Sequence, residues 1–289
     1  MVSMKPGKRK PEWLKVRAFG GKRFERTDRL LTEHRLSTVC RDANCPNRGE
    51  CFEDGTATFL LMGPRCTRNC RFCDIPTGQP GPLDPGEPQR VAEAAALLQL
   101  DHVVVTSVTR DDLDDGGVKH FAATVTAIRK KLPSSSIEIL TPDFQNVTGA
   151  VEIIVACHPD VFNHNVETVP RLYPHVRSGA KLETSLELLR QVAEKSSILT
   201  KSGLMVGLGE TSDELCRLFS DLAHSGVSIL TIGQYLAPSS DHYPVAEYIH
   251  PDQFVEMARL AREAGIKTVV SGPLVRSSYK AGEYINARA

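Results

Sequence analysis

No apolar run in this 289-residue chain approaches the roughly 20 residues that a membrane-spanning helix needs, so a membrane protein is not expected. The opening residues MVSMKPGKRKPEW have no apolar h-region, so no secretory signal is expected there. Low-complexity tracts and repeats of identical residues are missing too. Aromatic residues are few and do not alternate with basic ones along a second patch, which counts against nucleic acid as a partner. The nine histidines are scattered without ligand spacing, and none is assigned to a metal. GLMVGLGET (residues 203–211) has a G-x-G but no third glycine, so a nicotinamide site is discounted and a backbone platform near an adenine is expected instead. The most telling lack is a fourth cysteine. CTRNCRFC (66–73) and CRDANCPNRGEC (40–51) each offer three thiols, where a closed structural zinc site takes four ligands and an iron–sulfur cluster usually takes four cysteines.

A net charge of either sign is also absent, with 35 basic and 35 acidic residues, but the balance is uneven. Residues 1–35 hold eleven Lys and Arg against four Asp and Glu, a surplus of +7 that the remainder offsets with −7. Such an arm is either simply solvated or a docking surface for an acidic protein. Eight cysteines would suggest disulfides in an exported domain. Nothing here indicates export, so clustered cysteines point to metal or chemistry in a reducing compartment, and a cytoplasmic location is expected. Cys157 and Cys216 stand apart in apolar stretches and are expected as inert, buried packing.

What is present is a rhythm. TATFLLM (56–62), HVVVTS (102–107), IEILT (137–141), DVFNHN (160–165), KSGLMVG (201–207) and SILTIGQ (228–234) are short, apolar and rich in β-branched residues, as buried strands are. Helical stretches lie between or after them, at 88–100, 214–226 and 251–265, and a seventh apolar run, KTVVSG, occupies 267–272. Alternating strands and helices predict an α/β fold with a parallel sheet. Six units are too few to close an eight-fold barrel, so an open (β/α)6 partial barrel is expected. Polar motifs follow the strands repeatedly, where such folds place their chemistry: the cysteine loop, SVTRDDLDDGG, TPDFQN, NHNVET, GLGET and QYLAPS. The division expected is an N-terminal extension (1–55), the barrel (56–240) and a C-terminal helix, strand and tail (241–289).

The C-x3-C-x2-C spacing of Cys66, Cys70 and Cys73 on the loop after the first strand resembles the radical S-adenosylmethionine (SAM) superfamily. TVCRDANCPNRGECF, CTRNCRFC, SVTRDDLDDGG, HNVETVPRLY, GLMVGLGET, TIGQYLAPS and SGPLVRSSYKAGE together resemble the lipoyl synthase family, from about residue 12 to about residue 285. The resemblance implies the radical SAM type of partial barrel with N- and C-terminal extensions. It also implies two 4Fe–4S clusters and SAM. One cluster would be held by Cys66, Cys70 and Cys73, its open iron chelating the amino and carboxylate groups of SAM. The other, auxiliary cluster would be held by Cys40, Cys45, Cys51 and a serine of RSSY, Ser278 with Ser277 as the alternative. Pro46 and Gly49 are expected to fold the auxiliary loop sharply. Each site would then be one thiol short because each needs a replaceable ligand.

The implied reaction is radical insertion of two sulfur atoms at C6 and C8 of an octanoyl chain on a carrier lysine, with the auxiliary cluster as sulfur donor. No protein acid or base is expected to be catalytic. The implied partners are an octanoylated lipoyl-carrier protein (a lipoyl domain or the glycine cleavage H protein), an electron donor and a cluster repair factor, with the chain itself a monomer. Phe72 would shield the cluster or simply plug the core. Asn165 and Glu167 suit ribose hydroxyls, although helix capping by Asn165 or Thr168 competes. Arg177 suits the methionine carboxylate, against a surface ion pair. Arg110, Asp111 and Asp112 would organise the pocket or form a salt-bridge network. Thr109, Asp114 and Lys280 depart from the family's usual aspartate, proline and histidine. The rivals are a biotin-synthase-like sulfur inserter, which would not need RSSY, and a zinc- or cluster-stabilised binding module.

Overall fold

A computed structural model describes residues 9–16 and 20–286, the side chains of residues 146 and 284–286 excepted. The basic stretch 1–35 therefore lies partly outside the described residues. Among the described residues the strands are β1 (Ser37–Thr38), β2 (Thr58–Leu61), β3 (His102–Ser107), β4 (Ser136–Leu140), β5 (Val161–Asn163), β6 (Leu199–Val206), β7 (Ile229–Gln234) and β8 (Thr268–Gly272). They form one sheet in sequence order, in which β1 pairs antiparallel with β2 and every later neighbour is parallel. No pairing joins β8 back to β1 among the described residues, so the sheet is open. The six expected strands are β2 to β7, and the seventh run adds β8 at the edge. The two-residue β1 is too short to carry a pattern of its own.

The helices, in chain order, are α1 (Lys22–Glu33), α2 (Val39–Asp42), α3 (Arg48–Glu53), α4 (Glu87–Leu97), α5 (Val118–Lys131), α6 (Ala150–Cys157), α7 (Tyr173–Val176), α8 (Leu182–Lys195), α9 (Ser212–His224), α10 (Pro251–Glu263) and α11 (Ala281–Asn286). A reciprocal Thr211–Glu214 capping box starts α9, and Pro251 at the first turn starts α10. Strand residues alternate between two surroundings. Ile137 and Ile139 of β4 join the apolar core, whereas Glu138 between them meets Lys201 of β6 and Asn163 of β5. Phe59, Phe121, Phe162, Phe219 and Phe254 are fully buried in that core.

The two extensions meet each other. Asn47 Nδ2 donates to Leu274 O at 2.8 Å, and Tyr279 Oη donates to Glu50 Oε1 at 2.9 Å. After β8 the tail passes so close to β7 that a Cβ on Gly233 would lie 2.1 Å from Val275 O. Only glycine admits that approach. Farther on, α11 packs on β3, with the Cα of Gly282 facing His102.

Candidate functional site

The loop after β2 closes on itself through Cys66 N–H to Pro76 O (2.9 Å) and Gly78 N–H to Cys66 O (3.0 Å), and turns again at Cys73 N–H to Cys70 O (3.0 Å). Cys66 Sγ accepts from the amides of Arg68 (3.5 Å) and Thr109 (3.3 Å). Burial pushes the Cys70 thiol up to about 11, against the pull of Arg177. Burial likewise pushes Cys73 up to about 12, against the Ile75 backbone, with Cys70 and Cys66 adding to the rise. Thiols held this way keep their protons at neutral pH unless a cation replaces them.

Thr109 shows why its departure from the family pattern is tolerated. Its amide reaches Cys66 and its carbonyl accepts from Thr67 N (3.1 Å) and Thr67 Oγ1 (3.0 Å), so the main chain makes the contacts. Asp114 is exposed.

Arg68 was not singled out from sequence, and it anchors the loop. Its guanidinium forks onto Asp111 (2.8 and 2.9 Å) and again onto Asp143 (2.8 and 2.6 Å). This ties the cysteine loop to the loops after β3 and β4. Burial raises the Asp143 carboxyl, but Arg68 outweighs it and holds the group below the usual range. An arginine between two cysteines was the only signal, since both carboxylates are distant in sequence. Arg110 pairs with Asp112 at 2.8 Å, an ion pair that both readings of this loop allow.

Asn165, Glu167 and Arg177 do come together, beyond the end of β5. Arg177 is buried and donates to Asn165 O at 2.8 Å, so it is not a surface ion pair. Glu167 has a left-handed φ of 68° and is pinned by Glu167 N–H to Gly203 O (3.0 Å) and Met205 N–H to Glu167 O (2.8 Å). Burial raises its carboxyl, with Arg177 and Asn165 opposing. Arg177 and Glu167 both act electrostatically on Cys70. Helix capping does not account for Asn165 or Thr168: the short 3-10 turn that follows is capped by Val169 with no side-chain bond. Phe72 is half-buried against the apolar core.

The second triplet sits on α2, the turn after it and α3. Thr38 caps α2, with its Oγ1 accepting from Arg41 N at 3.3 Å. Asn44, at φ 45°, makes the turn between the helices, and Gly49 lies inside α3 rather than at the bend expected of it. Asn is among the few residues other than glycine that enter that left-handed geometry readily. Burial pushes Cys40 up to about 11, opposed by the Thr58 backbone, and Cys51 up to about 12, with Cys40 and Cys45 adding to it. Burial raises Cys45 as well, against the Asn47 backbone and the nearby Arg276. The RSSY tail thus lies against this triplet. Ser277 Oγ bonds Asn163 (2.8 Å) and Asn165 (2.9 Å), while Ser278 makes no hydrogen bond among the described residues. Lys280 lies 3.7 Å from Glu50. Asn44 of this loop also donates to Asp74, next to Cys73, so the two cysteine loops touch.

No group of three or more His, Cys, Asp or Glu side chains among the described residues converges closely enough for a single metal ion. A polynuclear cluster takes one thiol per iron and asks for no such convergence. The donor sets fit it: three mutually interacting thiols per site, buried at Cys40 and half-buried at the other five, each triplet with backbone donors facing sulfur. Cys157 is half-buried and bonds Ile154 O at 3.2 Å, whereas Cys216 is exposed, against expectation. Cys216 falls on the solvent side of amphipathic α9, whose buried positions are Leu215, Leu218, Phe219 and Leu222. The GLGET amides of Gly207 and Leu208 are taken by Glu210, at 2.6 and 2.9 Å.

The sequence profile of the Radical SAM superfamily matches residues 60–222. The chain is 53% identical over 286 residues to lipoyl synthase of Methylococcus capsulatus, covering 98% of this chain and 89% of the relative. It is 55% identical over 274 residues to lipoyl synthase of Caldanaerobacter subterraneus, covering 94% and 96%. Among solved structures it resembles SAM-bound SuiB of Streptococcus suis, with TM-score 0.58 and 13% identity. That likeness covers 74% of this chain and 49% of SuiB, so the chain spans about half the neighbour's length. Methylornithine synthase PylB aligns with TM-score 0.55 and 13% identity over 88% of this chain and 79% of that one. Those two likenesses speak for the fold alone, while the sequence relatives and the matched profile fix the family. The chain belongs to the lipoyl synthase family of the radical SAM superfamily.

Proposed function

We propose that this chain inserts two sulfur atoms, at C6 and C8, into an octanoyl chain carried on a lysine of a lipoyl-carrier protein. The superfamily implies a 4Fe–4S cluster and SAM; Cys66, Cys70 and Cys73 are the thiols for that cluster, and Asn165, Glu167, Arg177 and Phe72 the residues around SAM. Cys40, Cys45, Cys51 and Ser278 would hold a second 4Fe–4S cluster. Bound together, these groups supply the hydrogen-abstracting radical and the sulfide, which side chains cannot, because unactivated C–H bonds give an acid or base no handle.

The protein's part is to hold and exclude. Arg68 fixes the cysteine loop, Arg177 offers a buried cation for a carboxylate, and Phe72 covers one flank. The observation that carries the reading is the contact between tail and triplet. Leu274 and Tyr279 bond Asn47 and Glu50, and Arg276 acts on Cys45, which supports Ser278, between these contacts and without a hydrogen bond among the described residues, as the fourth ligand. A serine oxygen is a weaker match for iron than thiolate and suits a ligand that must be released.

We further assign residues 1–55, 56–240 and 241–289 to the N-terminal extension, the barrel and the C-terminal extension. No helix among the described residues is long and apolar enough to cross a membrane. We place the chain in the cytoplasm as a monomer, working with an electron donor and a cluster repair factor.

The test is anaerobic turnover of an octanoyl-lysine peptide with SAM and reductant. Sulfur-modified peptide is expected, together with about eight irons per chain in reconstituted protein. Deoxyadenosine without sulfur insertion would move the function to a sister activity, and about two zincs per chain would make it a zinc module. Ser278→Ala is expected to lose sulfur insertion while still cleaving SAM.

A further inference from the structure

We propose that Ser277 is a positioning residue shared by the two cysteine sites, orienting Asn165 and so coupling SAM binding to docking of the tail that carries Ser278. The proposal rests on the site assignment above, in which Asn165 faces SAM and Ser278 closes the Cys40 site.

A one-way line of hydrogen bonds sets the orientation. Lys201 can only donate, and its ammonium lies 2.9 and 3.0 Å from the two oxygens of Glu138. Glu138, fully buried and ionised beside it, can only accept. Asn163 therefore turns its amide nitrogen inward, donating to Glu138 Oε1 (2.8 Å) and to Ser277 Oγ (2.8 Å). Its own Oδ1 is left without a partner among the described residues, a cost tolerated to keep that direction. Ser277 sends its one proton to Asn165 Oδ1 at 2.9 Å. With Oδ1 engaged, Asn165 can offer only its NH2 toward the Glu167 carboxylate, whose charged form it favours against burial.

The space beneath allows little else. A Cβ on Gly203 would come within 2.7 Å of Asn165 Oδ1 and 2.6 Å of Thr231 Oγ1, so the amide rests on bare backbone. If the tail leaves, Ser277 leaves with it, and Asn165 loses the donor that fixes its amide. A flipped amide would set its carbonyl against the Glu167 carboxylate. The SAM pocket is thus complete only while the tail is docked. Linkage requires the reverse as well: bound SAM must hold the tail down by the same factor.

Two readouts other than turnover test this. SAM affinity, by equilibrium dialysis, is expected to fall about five-fold in Ser277→Ala and to return within about two-fold of the parent in Ser277→Thr, which keeps the hydroxyl. Tryptic cleavage after Arg276, followed by mass spectrometry, is expected to slow when SAM is added to the parent and to be indifferent to SAM in Ser277→Ala. Unchanged affinity in Ser277→Ala, or SAM protection of Arg276 that survives the substitution, overturns the proposal. The parent alone supplies an arm that needs no variant to fold: equal cleavage with and without SAM also overturns it. Failure of the underlying assignment looks different, because joint replacement of Cys40, Cys45 and Cys51 by alanine would then leave the iron content unchanged.

Discussion

At the scale of single residues, Arg68 is the position whose importance the fold reveals most. Its side chain is only 6% exposed and balances Asp143, itself 3% exposed. Arg68→Ala would leave a buried carboxylate uncompensated, and urea unfolding should show a loss of about 3–5 kcal/mol. Lysine cannot reproduce two forked contacts, so Arg68→Lys should recover little of it. Parent-like stability in the lysine variant would show that the forks contribute nothing. His164 makes a different case. It is fully buried, its Nδ1 donates to Thr141 O at 2.8 Å, and Ser185 Oγ lies 2.9 Å from Nε2. Burial, reinforced by Arg177, drives its pKa down to about 4.

At the scale of elements, the tail is the piece most dependent on one small residue. Gly233→Ala would place a methyl 2.1 Å from Val275 O, so β7 or the tail must move. Overpacking of this kind costs about 1–3 kcal/mol. The expected outcome is faster proteolysis within 273–280 and less iron at the Cys40 site, with the barrel melting near its normal temperature. Unaltered proteolysis and iron would mean that the tail docks without this close approach. The helix α9 carries a further lesson. Its apolar stretch suggested that Cys216 is buried, yet 3.6-residue periodicity turns that position outward while Leu215 points in.

At the scale of the whole molecule, acid should destabilise in two stages. An unfolded histidine titrates near 6.5 and the folded His164 near 4, so between these values the unfolded state binds more protons. Stability therefore falls as pH drops from about 6.5 to about 4, by up to roughly 3 kcal/mol from this group. Asp143 is shifted in the same direction, held below the usual carboxylate range by Arg68, and its contribution is present above the unfolded carboxylate value and lost as pH falls through its lower folded one. The decline should thus continue below about pH 4. His164→Gln should flatten the upper stage alone in urea titrations, and an unchanged slope there would exclude His164 as its source.

Local pattern carried much of this protein. Strand and helix order, the open sheet and the three-thiol loops are written in short stretches, because β-branched runs and cysteine spacing act over a few residues. The meeting of residues far apart in sequence was decided only in three dimensions: Asn47 with Leu274, Ser277 with Asn163 and Asn165, and Arg68 with Asp143. Those pairings depend on sheet register and on where the tail crosses β7, which no local stretch encodes. Side-chain spacing thus sets which chemistry the chain can hold, and the order and register of the sheet set which side chains share it.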